Sequence, residues 1–338
     1  MPANLRLTID TAALAANWRM LARAPGAVAT GAAVKADGYG LGAVAAVRTL
    51  VRAGCREFFV ASWDEVAALG EMPPGSRLTV LHGVQQGEMA TALASDAVPV
   101  LCTPAQVAAW KAAAPGRVCD LMVDSGMNRL GMSTADLGLL DGLNIDTVHS
   151  HLACADTPGH PMNARQLAAF RDVVAAVPAR RASLANSSGI MLGPDYAFGL
   201  TRPGIGLYGG ALAGVAAVAG IEARVVQVRN VATGDSVGYG ATWVAPRPAR
   251  VAVLNIGYAD GYPRSLSNAG TVFAGEMACP VIGRVSMDLV AADVTGAGVA
   301  EGDWLRLDFD LPRAAAASGS SQYELLTGLG HRYAREYQ

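Results

Sequence analysis

The first two thirds of the chain alternate short apolar segments with helical patterns. The strands predicted from the apolar segments lie at 28–34, 57–61, 77–81, 97–101, 118–123, 145–151, 181–186 and 203–207. Eight β/α units over about 200 residues have the number and length of a TIM-type (β/α)8 barrel. Periodicity alone does not separate this barrel from a doubly wound parallel sheet, so both architectures remain open at this point.

Helix-start signals stand between these strands. Asp10 is placed as the N-cap of a first helix, because apolar residues recur at helical spacing after it. Thr103 is placed as the cap of a helix over 104–114, and a longer helical pattern covers 162–177. Strands that alternate with helices of this length predict an α/β unit with a parallel sheet.

The pattern changes after a glycine-bounded segment at 214–220. The strand-like segments beyond it lie at 221–231, 250–256, 270–274, 281–285 and 303–309. Turn signals separate these segments and no long helix intervenes, so they predict a separate, mostly β domain. We therefore divide the chain into residues 1–214, which form the barrel, and residues 215–338, which form a C-terminal β domain.

Composition excludes several kinds of partner. A chain of 338 residues with 52% hydrophobic residues and a net charge of −2 lacks the basic surface expected for binding nucleic acid or an anionic membrane. The five cysteines are scattered without a C-x-x-C pair, which indicates reduced thiols rather than disulfides or zinc ligands. We find no signal peptide and no apolar run long enough to span a bilayer. We therefore expect a cytoplasmic protein without a nucleic-acid or membrane partner.

A lysine ends the first predicted strand. Lys35 follows Ala-Ala-Val, precedes a turn with three glycines, and is one of only two lysines among 26 basic residues. The carboxyl end of a parallel strand is where barrels and doubly wound sheets build their active sites. Apolar surroundings disfavour an ammonium ion, so this amine is a candidate nucleophile or Schiff-base lysine. A lysine that merely ends a strand is the alternative, and the glycine-rich turn favours the functional interpretation.

The hexapeptide Lys35-Ala36-Asp37-Gly38-Tyr39-Gly40 resembles the cofactor-lysine motif of the alanine racemase family. Members of that family carry pyridoxal phosphate on a barrel that is followed by a β domain. The resemblance implies that Lys35 binds this cofactor and that Tyr39 helps to hold its phosphate. It continues through further motifs in family order, so that it covers essentially the whole chain.

A second block, at 121–131, stands at the end of the fifth predicted strand and resembles the family's substrate-site strand. Arg129 matches the arginine that steadies the substrate carboxylate and the cofactor's phenolic oxygen, a task that suits a rigid guanidinium. Met122 departs from the family pattern, because many members have a carbamylated lysine there that orients the arginine. Arg129 is then held by Asp124, by a backbone carbonyl or by a bound chloride.

A third block contains His149 and His151. Alternate residues of a strand share a face, so a pair of metal ligands in a hydrolase is one interpretation. The remaining histidines stand in no H-x-x-H or carboxylate-paired pattern, which disfavours a metal site, and we expect none. The resemblance instead implies that His151 stacks over the cofactor ring and that His149 is a core residue.

Two further blocks resemble the family's phosphate and ring-nitrogen sites. Ser187 stands where a strand gives way to a short helix, either as a phosphate ligand or as an ordinary N-cap. Gly204 would let backbone amides approach the phosphate, and the resemblance adds its neighbour Ile205. Arg202 matches the arginine that faces the pyridine nitrogen. An arginine stays protonated and can only donate to this nitrogen, which the resemblance links to racemisation rather than decarboxylation.

Three blocks of the β domain also match family signatures. The resemblance implies that Tyr239 is a second base and that the backbone of Met287 contacts the substrate. A free phenol titrates near ~10, so this tyrosine needs a lowered pKa, which positive charge on His151 and Arg202 would supply. In the family this tyrosine serves the partner's barrel. The resemblance therefore implies a homodimer with shared active sites.

The motifs together predict a pyridoxal-phosphate-dependent alanine racemase that acts on a small amino acid. Inversion at Cα requires a base on each face, and the resemblance assigns Lys35 to the D-face and Tyr239 to the L-face. A broader-range or serine-preferring racemase remains open, because one methyl or hydroxyl group gives only modest discrimination. A decarboxylase is a further alternative, which Arg202 disfavours. A cofactor-carrying protein without catalytic activity would match the barrel blocks alone.

Overall fold

The computed structural model describes residues 3–24, 26 and 29–338. Val28, at the start of the first predicted strand, lies outside the described residues. Contacts within the chain divide it into two compact units. The first consists of Leu14–Leu207 and Ala211–Val215, and the second of Met1–Ala13, Tyr208–Gly210 and Ala216–Gln338. In the described ranges, no helix is both long and apolar enough to cross a membrane.

The secondary structure of the described residues follows the predicted alternation. The strands are β1 (Leu5–Ile9), β2 (Ala32–Ala33), β3 (Glu57–Val60), β4 (Arg77–Val80), β5 (Val98–Leu101), β6 (Val118–Met122), β7 (Asn144–His149), β8 (Arg181–Ser183), β9 (Ala219–Val231), β10 (Ser236–Val237), β11 (Trp243–Val244), β12 (Ala249–Leu254), β13 (Thr271–Ala274), β14 (Met277–Ile282), β15 (Val290–Asp293), β16 (Trp304–Leu307) and β17 (Ala334–Tyr337). The helical segments are α1 (Thr11–Ala22), α2 (Lys35–Tyr39), α3 (Ala43–Ala53), α4 (Trp63–Leu69), α5 (Met89–Leu93), α6 (Pro104–Ala113), α7 (Pro161–Ala176), α8 (Ser187–Ile190), α9 (Leu311–Ser318) and α10 (Gln322–Thr327).

The first unit is built on a parallel sheet whose strands run in chain order from β2 to β8. These strands are apolar and buried on both faces, as in β3, where Phe58, Phe59 and Val60 are each at most 1% exposed. Such continuous burial is typical of parallel sheets covered by helices. It explains why the strands could be located from their apolar runs.

An extended segment at 199–203 takes the eighth position of this sheet. Thr201 forms a parallel bridge with Thr30, and the Arg202 amide donates to the carbonyl of Ala185, two residues beyond β8. The Ala33 amide of β2 donates in turn to the carbonyl of Pro203. The segment therefore connects the two edges of the sheet, which supports the barrel and excludes the open doubly wound sheet.

The strand predicted at 203–207 is wrong in position. Residues Ile205–Tyr208 form a 3-10 turn, while the extended eighth segment precedes them. The amides of Gly204 and Gly206 donate to the hydroxyl of Ser187 at 2.9 and 3.1 Å, which a strand in a ladder would not allow.

The predicted helix starts are confirmed. The Asp10 carboxylate accepts a hydrogen bond from the Ala13 amide at 2.8 Å, directly before α1. Thr103 accepts from the Gln106 amide at 3.2 Å and caps α6, which begins with a proline at its first position. Each bond satisfies one of the backbone donors that a helix N-terminus leaves free.

The second unit is dominated by an eight-stranded, largely antiparallel sheet of order β12-β15-β14-β13-β16-β9-β1-β17. The long strand β9 pairs with β12, β16 and β1 along its length. Strand β1, from the beginning of the chain, pairs with β9 on one side and in parallel with β17 on the other. The predicted combination of a barrel and a mostly β domain is confirmed as a fold class.

Candidate active site

The chain turns left-handed directly after Lys35. The φ angles of Ala36, Asp37, Gly38 and Tyr39 are 52°, 51°, 61° and 57°. An L-residue in this region costs about 1–2 kcal/mol, so the turn needs support from its surroundings. The Gly38 amide donates to the Val34 carbonyl at 2.9 Å, and the Asp37 carboxylate accepts from the Ala43 amide of α3 at 2.8 Å. The backbone strain is thus concentrated beside the predicted catalytic lysine.

The amine of Lys35 is half-buried among cations. Burial is the largest cause that lowers its pKa from the ordinary lysine value, followed by the charge of Arg129, while Glu65 raises it and Arg202 lowers it. Within the described residues, the amine forms neither a hydrogen bond nor an ion pair. Lys35 is therefore partly desolvated, as predicted from the apolar residues that precede it at the end of the first strand.

Arg202 is a buried guanidinium held by neutral acceptors. It donates to the hydroxyl of Ser183 and, at 2.6 Å, to the carbonyl of Ser150. Burial lowers its pKa to about 10, against the opposing charge of Asp120. At neutral pH Arg202 is protonated, and it forms no other hydrogen bond to a described residue. Its remaining donors are thus available to a ligand.

His151 is neutral in this site. Burial, then the charges of Arg202, Arg129 and Lys35, lower the pKa of its imidazole to about 3. Of the two side chains expected to provide positive charge for a tyrosine base, only Arg202 therefore carries it at neutral pH. The reason is electrostatic, because a protonated imidazole here would be buried beside three cations.

A cradle of hydrogen-bond donors surrounds the hydroxyl of Ser187. The amides of Gly204 and Gly206 both point at this hydroxyl. A Cβ atom on Gly204 would lie 2.1 Å from the phenolic oxygen of Tyr39, so only glycine lets the backbone approach the phenol so closely. The cap of α8 is Asn186, whose side chain accepts from the Gly189 amide at 2.8 Å. Ser187 is therefore not the N-cap of this helix.

Met122 and Asp124 do not hold Arg129. Met122 is buried in an apolar cluster with Val100 and Cys102. The Asp124 carboxylate accepts from the amides of Gly126 and Met127, both at 2.8 Å, and so closes its own turn. Arg129 is exposed and forms no ion pair with a described residue. The expectation that Asp124 steadies Arg129 finds no support in these contacts.

Both halves of the chain match models of one family. The description "Alanine racemase, N-terminal domain" matches residues 9–211, and "Alanine racemase, C-terminal domain" matches residues 218–337. The alanine racemase of Dinoroseobacter shibae is 46% identical, over 99% of this chain and 98% of the relative. The biosynthetic alanine racemase of Agrobacterium fabrum is 44% identical, over 99% of this chain and 94% of the relative.

The chain belongs to the alanine racemase family. A crystal structure of alanine racemase from Bartonella henselae, with covalently bound pyridoxal phosphate, superposes with a TM-score of 0.93 at 35% identity and covers all of both chains. The predicted family and the predicted class of enzyme, an amino-acid isomerase, are confirmed. Eight of the predicted site residues lie in the first unit of this racemase: Lys35, Tyr39, Arg129, His151, Ser187, Arg202, Gly204 and Ile205.

Tyr239 and Met287 belong to the second unit of the racemase fold. Tyr239 is 72% exposed, in a turn where Gly238 and Gly240 have φ angles of 77° and 70°. Met287 is 53% exposed, and its carbonyl accepts from the Ala259 amide at 3.1 Å. Both residues therefore present their side chains at the surface of their own unit.

The sequence analysis missed two acidic residues of this racemase. Asp120 stands within the otherwise apolar strand β6, and a charge in such a strand is itself a signal. Glu65 follows Ser62 at the spacing of a capping box, which would have identified it as a helix cap and nothing more. Among the described residues, no group of three His, Cys, Asp or Glu side chains could hold a metal ion.

Proposed function

We propose that this chain interconverts L- and D-alanine with pyridoxal phosphate bound at Lys35. The observation that carries the proposal is the position of Lys35, whose pKa is lowered in the same unit that holds the donor cradle around Ser187. The covalently bound cofactor of the Bartonella henselae relative supports it. The two similar enzymes named above are alanine racemases, which supports alanine as the substrate.

The residues of the first unit fit the parts of this cofactor. Ser187 and Tyr39, with the backbone at Gly204 and Ile205, would hold the phosphate, because their donors converge where Gly204 has no side chain. Arg202 would donate to the ring nitrogen, and His151, neutral at pH 7, would lie over the ring. When bound, pyridoxal phosphate withdraws electrons from the Cα of an attached amino acid and so makes its α-proton removable.

Lys35 and Tyr239 would move the α-proton. From D-alanine, the Lys35 amine accepts the proton on one face, and the phenol of Tyr239 donates a proton on the other. From L-alanine, the phenolate of Tyr239 accepts and the Lys35 ammonium donates. Inversion needs two groups on opposite faces, since a single base would return the proton to the face it left. Arg129 and the backbone of Met287 would bind the substrate carboxylate.

We propose that the active enzyme is a homodimer in which the partner subunit's Tyr239 completes each site. The 72% exposure of Tyr239 on its own unit supports this arrangement. In functional terms we keep the division into 1–214, which supplies the cofactor site, and 215–338, which supplies the second base. The five free cysteines support a cytoplasmic location.

Two experiments test the proposal. The optical rotation of L-alanine should decay to zero with purified, cofactor-supplied protein and should not decay with Lys35→Ala. Persistent rotation with a bound, borohydride-reducible cofactor would contradict alanine racemisation. An equal mixture of Lys35→Ala and Tyr239→Phe chains, after subunit exchange, should recover about a quarter of wild-type activity, because half of the dimers then contain one intact site of two. No recovery after verified exchange would contradict shared sites.

A further inference from the structure

The carboxylate of Glu65 bridges two backbone segments next to Lys35. Its Oε1 accepts a hydrogen bond from the amide of Ala36 at 2.6 Å, and its Oε2 accepts from the amide of Ala61 at 2.6 Å. Ala36 is the first left-handed residue after Lys35, and Ala61 follows β3. Both carboxylate oxygens thus accept hydrogen bonds, and together they connect the end of β3 to the strained turn. Charge-assisted bonds of this length are the strong ones.

The helix that carries Glu65 does not require this geometry. Ser62 and Glu65 stand at capping-box spacing at the start of α4, where the glutamate would return to the Ser62 amide. Instead, the Ser62 side chain makes no capping bond, and neither oxygen of Glu65 accepts a hydrogen bond from the Ser62 amide. The carboxylate bypasses the N-cap and binds the amide of Ala61, which precedes Ser62, and that of Ala36. Its partner Ala36 lies 29 residues earlier in the chain.

Glu65 also stands out by its charge. The groups that act on the Lys35 amine are Arg129 and Arg202, which disfavour an ammonium ion, and Glu65, which favours it. His151, whose pKa the charge of Lys35 helps to lower, is neutral at pH 7. Among the described residues, Glu65 is therefore the one anion that acts on Lys35, and it is hydrogen-bonded to the amide of the residue that follows the lysine.

We propose that Glu65 is a positioning residue for Lys35: its carboxylate holds the left-handed turn by accepting from the Ala36 amide and places a negative charge beside the lysine. The inference rests on the proposed role of Lys35 as the base on the D-face. A carboxylate with only a structural task would hold the turn without affecting the titration of the amine. A positioning residue affects both.

The small number of lysines allows a direct test of the charge effect. Reductive methylation of the cofactor-free, full-length chain with 13C-formaldehyde labels Lys35, Lys111 and the N-terminal amine, and the NMR shift of each signal reports its titration. Lys35→Arg and Lys111→Arg each remove one signal and so assign the two lysines. In Glu65→Gln, we expect the Lys35 midpoint to fall by about half a pH unit or more, because the anion that favours the ammonium is lost. The Lys111 midpoint should not move.

Glu88→Gln is the matched control. The Glu88 carboxylate accepts from the Gln85 amide at 2.8 Å in an exposed turn of the same unit, so this variant loses a carboxylate–amide bond but no charge near Lys35. It should leave the Lys35 midpoint unchanged. Glu65→Asp retains the charge and shortens the side chain. It should restore most of the Lys35 midpoint and so serves as the test if Glu65→Gln does not fold.

The holoenzyme provides a second readout. Lys35 is bound to the cofactor in the resting enzyme and is a free amine only while substrate is bound. In the D-to-L direction it must then be unprotonated, so the acidic limb of the kcat profile should move to lower pH in Glu65→Gln and stay in place in Glu88→Gln. A lower melting temperature with unchanged Lys35 midpoint and pH profile would overturn the inference and leave Glu65 a structural clamp. Racemisation by Lys35→Ala would instead contradict the proposed function, so the two failures are distinguishable.

Discussion

His149 donates a buried hydrogen bond from its Nε2 atom to the carboxylate of Asp120, across 3.1 Å between strands β7 and β6. Both side chains are at most 1% exposed. The other oxygen of Asp120 accepts from the Thr147 amide at 3.0 Å and from Arg77 at 2.6 Å. Nδ1 of His149 has no hydrogen-bond partner among the described residues. Among the described residues the imidazole is thus hydrogen-bonded on one side only, and the carbonyl of the next residue, Ser150, binds Arg202.

This arrangement predicts a loss of stability at mildly acidic pH. Burial lowers the pKa of His149 to about 4; Asp120 opposes this shift, and the charges of Arg202 and Arg77 add to it. Below pH 6.5 the unfolded chain therefore binds a proton that the folded chain does not bind until about pH 4. Stability is complete above this window and falls as the pH decreases through it, by up to about 1.4 kcal/mol per pH unit.

Urea unfolding between pH 7 and pH 4 measures this dependence. His149→Gln should make the free energy of unfolding depend less steeply on pH. The decrease in slope should correspond to about one bound proton. The remaining slope includes His151, whose pKa is lowered in the same direction. His82→Gln is the control, because it removes an exposed histidine. An unchanged slope in His149→Gln would show that this imidazole is protonated in the folded chain.

Arg181 should contribute more to stability than an exposed arginine. It donates to both oxygens of Glu57 at 2.9 and 3.0 Å and to Asp146 at 3.1 Å, with 22% of its side chain exposed. Glu57 has no other side-chain partner among the described residues. We expect Arg181→Met to lower the free energy of unfolding by about 2–3 kcal/mol. This loss lies between the values for breaking an exposed and a fully buried salt bridge.

Chemical denaturation checks this value. Arg171→Met is the control within the same unit, because the Arg171–Asp195 pair is 54% and 73% exposed. It should cost less than about 1 kcal/mol. Arg181 and Glu57 begin β8 and β3, at the amino ends of the strands, so the cofactor affinity of Arg181→Met should remain at the wild-type value. Equal losses in both variants would contradict the argument from burial.

Gly204→Ala should weaken cofactor binding. Its Cβ would lie 2.1 Å from the phenolic oxygen of Tyr39, so the phenol and the backbone must move apart. We expect at least about a tenfold increase in the Kd for pyridoxal phosphate, or about 1.4 kcal/mol. Absorbance titration of cofactor-free protein measures this Kd. Gly138→Ala, where no atom lies within 4 Å of the new Cβ, should bind the cofactor as the wild type does.

Arg129→Lys should raise KM without lowering stability. Arg129 is exposed and forms no hydrogen bond or ion pair with a described residue, so the folded chain loses no contact. The substitution retains the charge that lowers the pKa of Lys35 but loses the planar fork that suits a carboxylate. We expect KM for alanine to increase about tenfold or more, with an unchanged melting temperature.

Steady-state kinetics and calorimetry separate the two effects. Arg165→Lys is the matched control, because Arg165 is also exposed and forms no hydrogen bond or ion pair with a described residue. Its KM should equal that of the wild type. A wild-type KM in Arg129→Lys would remove Arg129 from the substrate site, and a large drop in melting temperature would reveal a structural task for its guanidinium.

The sequence predicted the features that depend on short-range patterns. Strands β3 to β8 were located because buried parallel strands are continuous apolar runs. The caps Asp10 and Thr103 were found because a helix start needs acceptors for its first amides. The lysine at the end of the first strand was singled out by its apolar approach and its glycine-rich turn. Each of these patterns is contained in a segment of about a dozen consecutive residues.

The sequence did not predict which residues that are distant in the chain form hydrogen bonds or interact through their charges. The eighth barrel position pairs Thr201 with Thr30, and β1 inserts into a sheet otherwise built from the second half of the chain. His151 was expected to be positive, yet burial and then the charges of three cations that the fold places near it lower its pKa and make it neutral. Local spacing contains no information on such neighbours.

The sequence by itself thus determined the family, the alternation of strands and helices, and the positions of the residues that could carry chemistry. Tertiary structure alone decided their protonation and their orientation. Glu65 reaches the turn of Lys35 from another helix, and Asp120 reaches His149 from another strand. The physical reason is that a pKa and a hydrogen bond depend on distance and burial in space, which folding sets between residues far apart in the chain.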